Sequence, residues 1–444
     1  HATAKLATTA TGVSVHGEVA ASQDYPNFRP TLDLNFAAEK KLDPRITYRR
    51  TGVASFVNEF GKIVLVGDNA PRFDHDPTTR ESKGLLIEES KTNLITYSHE
   101  FDQTNWSNVR STDSETVATN DPQGLQTAVK LVANTDNNTH RIDKTNLSMA
   151  TSTAHTFSVW AKAAEYTGVS LTIADSSNNS HGVYFDLSAG TFTVGSNAHT
   201  GRMEAYPNGW YRCFATFTTP SSITFQQVLI GVLQNGTTHT YAGNGSSGIY
   251  IWGAQLEVGA FATSYIPTDS TTATRGADIT LIDGEEFSDF YNPIESTILV
   301  DYTHLNGATI SNMGPNARPY RFRAVGGGDT RIDYVSTAAF HPYIAKDGGA
   351  VASLSHGSNP VLDGGVNRSA VRVKKDSFGV SCNGSAVTGN ALDTSGAWPP
   401  DNTITEVSLG GSNGNISNQL SGHIQRFVYY PVGVSNSQLV TLTS

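Results

Sequence analysis

Apolar residues at helical spacing are almost absent from this chain. Short β-branched and aromatic runs recur instead, separated by clusters of Gly, Asn, Asp and Ser. That pattern restricts the fold to all-β architectures. HTFSVWAKA (155–163), GWYRCFATFTT (209–219) and ESTILVDYTHL (295–305) are representative runs. At 444 residues the chain is too long for one core, so two or three domains are expected. Hydrophobic residues make up 38% and charged residues 16%, with 41 glycines; both fractions are low for an ordinary enzyme and suit a turn-rich sheet protein.

One run breaks the rule that a half-buried strand alternates apolar and polar residues. In GIYIWGAQLEVGAFATSYIPT (248–268), Tyr250, Trp252, Ala254 and Leu256 fall on one face by strict alternation. Ile249, Ile251, Gly253 and Gln255 fall on the other. Both faces begin apolar, so something besides the domain's own core must cover the second. The cover is another segment of the chain, a second subunit or a ligand.

Four segments are expected. Residues 1–24 lack aromatics, and Val13, Val15 and Val19 around Gly17 suit a thin strand wound with other chains. Residues 25–92 read as a β connector that packs against neighbours and orders in the oligomer, with a hairpin turn at Asn58–Gly61. Residues 93–277 read as a jelly-roll sandwich, with a hairpin turn at Ser188–Gly190. Residues 278–444 read as a second sandwich, with Asn383–Gly384 as a hairpin signal. The two sandwiches end alike, in SSGIYIWGAQLEVG and LSGHIQRFVYYPVG, as if a final strand crossed the middle of each sheet.

PRFDHDPTTRESKGLLIEESKTNLITYS (71–98), followed by Phe101 and Trp106, resembles the linker and sandwich start of tailed-bacteriophage fibre and virion structural proteins. GIYIWGAQLEVGAFATSYIPT and ATRGADI (273–279) resemble the closing strand of the same module, and TGVSVHGEV resembles the end of a fibre shaft. Residues 278–444 are similar to concanavalin-like (laminin-G-like) sandwiches. The resemblance implies a homotrimeric attachment protein of the virion, assembled in the host cytoplasm. It implies a host-surface glycan or protein as partner and contact with other tail proteins through the N-terminal shaft. It supplies no binding-residue motif.

The formal net charge of −10, with no basic stripe, argues against nucleic acid. No run of 18 apolar residues suggests a membrane span. Cys213 and Cys382 are expected as free thiols in a reducing compartment. No signal peptide is visible, and a start at His1–Ala2 reads as part of a longer chain.

Motifs with catalytic or metal-binding chemistry are weak. Gly410–Gly414 fits G-x-S-x-G around Ser412, but turn-rich flanks replace the strand and helix that a nucleophile elbow needs. Asp74-His75-Asp76 has metal-ligand residue types, but neighbours on a strand point apart, and Arg72 suggests an ion pair. Residues 175–186 lack the Gly and Glu of a calcium loop. A structural calcium fits a jelly roll, though the sequence does not place one. Glu88–Glu89 and Glu285–Glu286 are adjacent, the wrong geometry for opposed glycosidase carboxylates. No catalytic residue, metal ligand or cofactor is therefore assigned, and a virion depolymerase and a purely architectural protein remain as alternatives.

For sugar binding, Trp160, Trp210 and Trp252 read as core and Trp106 as a packing plug. The candidate ligand contacts are Trp398 in TSGAWPPDN, Tyr343 and His341 in FHPYIAKDG, and Tyr320 in ARPYRFR, with Lys346, Asp347 and Asp401 nearby in sequence. Trp398 is the leading candidate because its loop, stiffened by two prolines, would display the ring at little entropic cost. The competing expectation is that it lids its own core.

Overall fold

The structure, a computed structural model, describes residues 6–9, 12–15, 29–103, 105–114, 119–174, 182–195, 199–223, 226–305, 317–324, 331–336, 340–346, 349–354, 365–389, 398, 404–411 and 419–444. The fold is all-β, two antiparallel sandwiches.

The first sandwich stacks two six-stranded sheets. One runs Ser111–Ser114, Val129–Ala133, Gly248–Val258, Ala154–Ala163, Trp210–Thr218, Thr200–Ala205. The other is centred on Gln227–Leu233 and Gly168–Ala174. Phe157, Val159, Ile249, Ile251 and Leu256 from the first sheet meet Val169, Leu171, Ile173 and Ile230 from the second in one buried core.

In the second sandwich one sheet is centred on Glu295–His304 and Gly422–Tyr430. The facing sheet includes Tyr320–Arg323, Glu406–Leu409 and Ile279–Asp283. Apart from the 54–66 hairpin, the strands of residues 29–88 belong to this domain, which corrects the expectation of a separate connector. Leu32–Asn35 and Ser82–Ile87 both pair with Gly422–Tyr430, and Thr47–Arg49 pairs with Ile279–Asp283. Leu32, Leu34, Phe36, Ile46, Leu85 and Ile87 are buried in the second core. The segment has too few apolar residues for its own core because they complete another one. The second sandwich is thus discontinuous, and the first is inserted between strands Lys91–Asn93 and Ala273–Arg275, which pair with each other.

The turn expectations hold. Asn58 Oδ1 accepts from the Phe60 and Lys62 N–H groups, with Gly61 at φ 75°. Asp186 Oδ1 accepts from the Ser188 N–H before Gly190 at φ 67°. Asn383 and Gly384 both take positive φ, as a type I′ turn requires. Near the N-terminus, Leu6–Thr9 and Gly12–Val15 form an antiparallel pair, while Gly17 and Val19 lie outside the described residues.

The expected facing of 248–258 is corrected at its midpoint. Trp160 pairs with Trp252, but Ser158 pairs with Gln255, so Gly253 and Ala254 together oppose Val159. This is a β-bulge, and it inverts the alternation. Ile249, Ile251, Ala254 and Leu256 face the sandwich core, whereas Tyr250 and Trp252 pack in a separate outer cluster. Gly253 sits at φ 66°, and a Cβ there would lie 2.8 Å from Trp160 Cε3. The cover comes from the same chain. Ile63, from the Ala54–Val57/Ile63–Val66 hairpin, packs with Trp160, Trp210, Trp252 and Tyr265, and Ser55 Oγ donates to the Tyr265 carbonyl at 2.7 Å. The three tryptophans are buried as expected, but under this hairpin rather than between the sheets. Trp106 is a plug, 4.8 Å from the Phe101 ring and donating to the Tyr97 carbonyl.

Candidate functional site

Buried arginines hold the junction of the two sandwiches. Arg72 bridges Glu88 (2.6 Å) and Asp278 (2.5 Å), and Arg275 reaches Glu88 at 3.1 Å. Arg50 lies 3.5 Å from Asp278, which also accepts from the Tyr48 hydroxyl. All four side chains of the Arg72, Arg275, Glu88 and Asp278 group are withdrawn from water. Burial opposes charge on Glu88, but Arg275 and Arg72 outweigh it and hold its carboxyl down at about 2. Arg72 therefore pairs with these groups and not with Asp74, its near neighbour in sequence.

Next to this junction lies a cleft of about 500 Å³. Its walls come from three sources: the 54–83 segment, the edge strand Thr200–Ala205 and its neighbour Trp210–Thr218 in the first sandwich, and the strands Glu295–His304 and Gly422–Tyr430 of the second. That volume is in the usual range for a small-molecule site.

On the second-sandwich wall, Thr303 and His423 are cross-strand partners. The Thr303 hydroxyl is 3.1 Å from His423 Nδ1, and His423 Nε2 donates to Asp74 Oδ2 at 2.8 Å. Asp74 Oδ1 accepts from the Val57 N–H at 2.7 Å. Burial works against charge on Asp74, but the bond to His423 prevails and holds its carboxyl below the ordinary value. Burial brings the His304 imidazole down to about 4, so it is neutral near pH 7. His75 bonds the Val57 carbonyl through Nδ1.

On the first-sandwich wall, Arg212 lies flat on Trp160, 4.3 Å from the ring centroid. It donates to the Thr263 carbonyl (2.9 Å) and Ser158 Oγ (3.1 Å). Tyr206 meets Trp160 edge-on at 5.7 Å, and burial raises its phenol far above the ordinary value. Tyr206 and Phe56 are half-buried aromatic faces on the cleft.

Of the candidates named from sequence, Trp398, Tyr320 and Tyr343 do not line this cleft. Trp398 is 2% exposed, packs against Phe378 and belongs to the second core, so it lids that core rather than standing displayed. Tyr320 is fully buried in the same core, because strict alternation in Tyr320–Arg323 turns it inward. Tyr343 is half-buried, with the Arg331 guanidinium 4.9 Å above its ring. The side chains of His341 and Lys346, and residues Asp347 and Asp401, lie outside what the structure describes, as do Ser412–Gly414 and residues 175–181. Both cysteines are buried free thiols. No cluster of three potential metal ligands occurs among the described residues.

The cleft residues escaped sequence reasoning because they are scattered from 54 to 425. One signal was readable: Arg212 is a charged residue inside a strand made largely of aromatic and small apolar residues.

No protein-family model matches this chain, and no curated protein does. Among solved structures, it is similar to the carbohydrate-binding module CBM40 of the Ruminococcus gnavus IT-sialidase bound to α2,3 sialyllactose. That match has 19% identity over 34% of this chain and 83% of that one, with a TM-score of 0.28. It is also similar to the CBM22-1–CBM22-2 tandem of Paenibacillus barcinonensis Xyn10C, at 8% identity over 78% of this chain and 99% of that one, with a TM-score of 0.24. Neither likeness bears on what this chain binds.

Proposed function

We propose that this chain is a non-enzymatic receptor-binding protein of a bacteriophage tail fibre. On this reading it is a homotrimer on the virion, and the cleft between its sandwiches takes a host-surface glycan. The observation that carries glycan binding is the cleft itself: about 500 Å³, with half-buried Tyr206 and Phe56 beside fixed hydrogen-bonding groups. Sugar recognition needs that combination of flat apolar faces and placed polar groups. The tail-fibre assignment rests on the resemblance of residues 71–98 and 248–278 to virion proteins.

A second reading, a polysaccharide depolymerase, is favoured by one observation. The fold gathers Thr303, His423, Asp74, Arg212 and Tyr206 around one cleft, a cluster that the linear sequence does not assemble. Hydroxyl, imidazole and carboxylate in series form the usual arrangement for activating a nucleophile. Binding is preferred because Thr303 lies within the strand Glu295–His304 and not on the sharp turn that exposes a nucleophile elbow's hydroxyl.

Purified bacterial surface polysaccharides, tested for binding and for new reducing ends, separate the readings. Binding without shortening is expected; shortening would overturn the non-enzymatic assignment, and absence of both would leave an architectural protein. A mass measurement in solution should give three chains, and a monomer would refute the trimer.

A further inference from the structure

We infer that the cleft selects an anionic saccharide and that Arg212 holds its acid group. This rests on the glycan-binding reading above.

Arg212 is 5% exposed, lines the cleft and makes no ion pair among the described residues. Its two hydrogen-bond partners are neutral oxygens, and its Nε–H is buried without a hydrogen-bond partner among the described residues. Burial pulls the guanidinium below its ordinary value, and nearby Tyr206, Glu204 and Glu257 offset that only in part.

The nearby carboxylates Glu204 and Glu257 make no ion pair with Arg212 among the described residues, Glu204 bonding Arg202 and Glu257 the Thr263 N–H. Through Thr263, Arg212 joins the buried network that contains Arg50, Arg72 and Arg275 against Glu88, Glu257 and Asp278. That is four arginines to three carboxylates, a surplus of one positive charge in a water-poor region. Of the carboxylates on the cleft wall, Asp74 pairs with His423, Glu88 with Arg72 and Arg275, Glu204 with Arg202 and Asp76 with Lys83, while Glu81 is exposed to solvent. A buried charge without a partner is costly, and an incoming anion would offset that cost.

Other unpartnered polar atoms line the same cleft. Trp160 Nε1–H, His75 Nε2 and Ser82 Oγ are all buried with no hydrogen-bond partner among the described residues. Trp160 Nε1–H is a second donor beside the guanidinium that stacks on its ring. His75 and Ser82 offer an acceptor and a hydroxyl suited to sugar hydroxyls. A planar acid group on a sugar ring can use the charge and both donors at once, which a neutral sugar cannot.

The chain as a whole carries −10, so general attraction to polyanions runs the wrong way, and any preference must come from a local site. Carboxylate and sulfate share this chemistry. The test therefore compares the full chain's binding to polygalacturonate and alginate with their carboxyl-reduced forms, and to dextran sulfate with dextran. At least one acidic polymer should bind about tenfold or more tightly than its neutral counterpart, and which pair responds identifies the acid group. Arg212→Gln should abolish that preference, and Arg212→Lys should retain part of it through its charge. If Arg212→Gln fails to fold, Arg212→Lys and the unmodified protein still decide the matter. Equal binding of acidic and neutral forms overturns the inference but leaves glycan binding standing; so does a preference that survives Arg212→Gln. Binding to none of the polymers overturns both.

Discussion

Two side chains show how burial assigns roles that residue type does not. Glu88 is fully buried between Arg72 and Arg275, and its carboxyl is held at about 2 against an ordinary 4.5. A depressed folded-state value adds stability that is complete above about pH 4.5 and is lost as the pH falls toward 2. In urea titrations across that window the native protein should lose stability steadily, and Glu88→Gln should flatten the slope. At pH 7 the same substitution should cost about 3–5 kcal/mol, because it leaves two buried arginines short of a partner. A shift of under about 1 kcal/mol at pH 7 would show that the network contributes little. Trp398 is the second case. Proline-flanked and loop-borne, it reads as displayed, yet it is in contact with Phe378 in the core. Trp398→Ala should cost about 3–5 kcal/mol of folding stability and leave glycan affinity of the folded fraction unchanged. Normal stability with lost binding would restore it as a ligand contact.

At the scale of elements, each sandwich is closed by a long central strand that carries a bulge. Gly248–Val258 shifts register against Ala154–Ala163, and Gly422–Tyr430 shifts against Glu295–His304 between Asp301 and Tyr302. In the first strand the shift lets one strand serve two layers. Its aliphatic residues stay inside the sandwich while Tyr250 and Trp252 pack under the N-terminal hairpin. Gly253 makes the shift possible through its positive φ and the missing Cβ beside Trp160. Gly253→Ala should lower stability by about 1–3 kcal/mol, followed by thermal melting, and should alter the near-ultraviolet signal of the tryptophan cluster. An unchanged melt would mean that the strand keeps its bulge without glycine.

For the whole molecule the governing fact is insertion. Leu32–Asn35, Thr47–Arg49 and Ser82–Ile87 belong to sheets of the second sandwich, and the 54–66 hairpin roofs the first. Deleting residues 29–92 should therefore abolish cooperative unfolding of the second sandwich and expose Trp160, Trp210 and Trp252, read as a red shift in tryptophan emission and dye binding. A truncated chain that melts like the full one would refute the single-chain assembly described here. The same insertion builds the cleft, since its walls come from both sandwiches and the N-terminal segment.

What the sequence determined by itself is local. Period-two runs and Gly, Asn and Asp turns specify strands, hairpins and an all-β class, because pleat geometry and positive-φ positions depend on neighbouring residues. The two-faced strand also announced a second covered face, and the start and plug of the first sandwich were readable around Trp106. Which segment does the covering, and which sheet receives residues 29–88, depended on pairings between residues hundreds of positions apart, as in Leu32 with Tyr429. Alternation gives no information about a strand's partner, and one bulge at Gly253 is enough to reverse which residues face the core. The cleft was illegible for the same reason. Asp74, Arg212, Thr303 and His423 are ordinary strand residues one by one, and only the docking of two sandwiches places them around the same space, with Arg212 in no ion pair among the described residues.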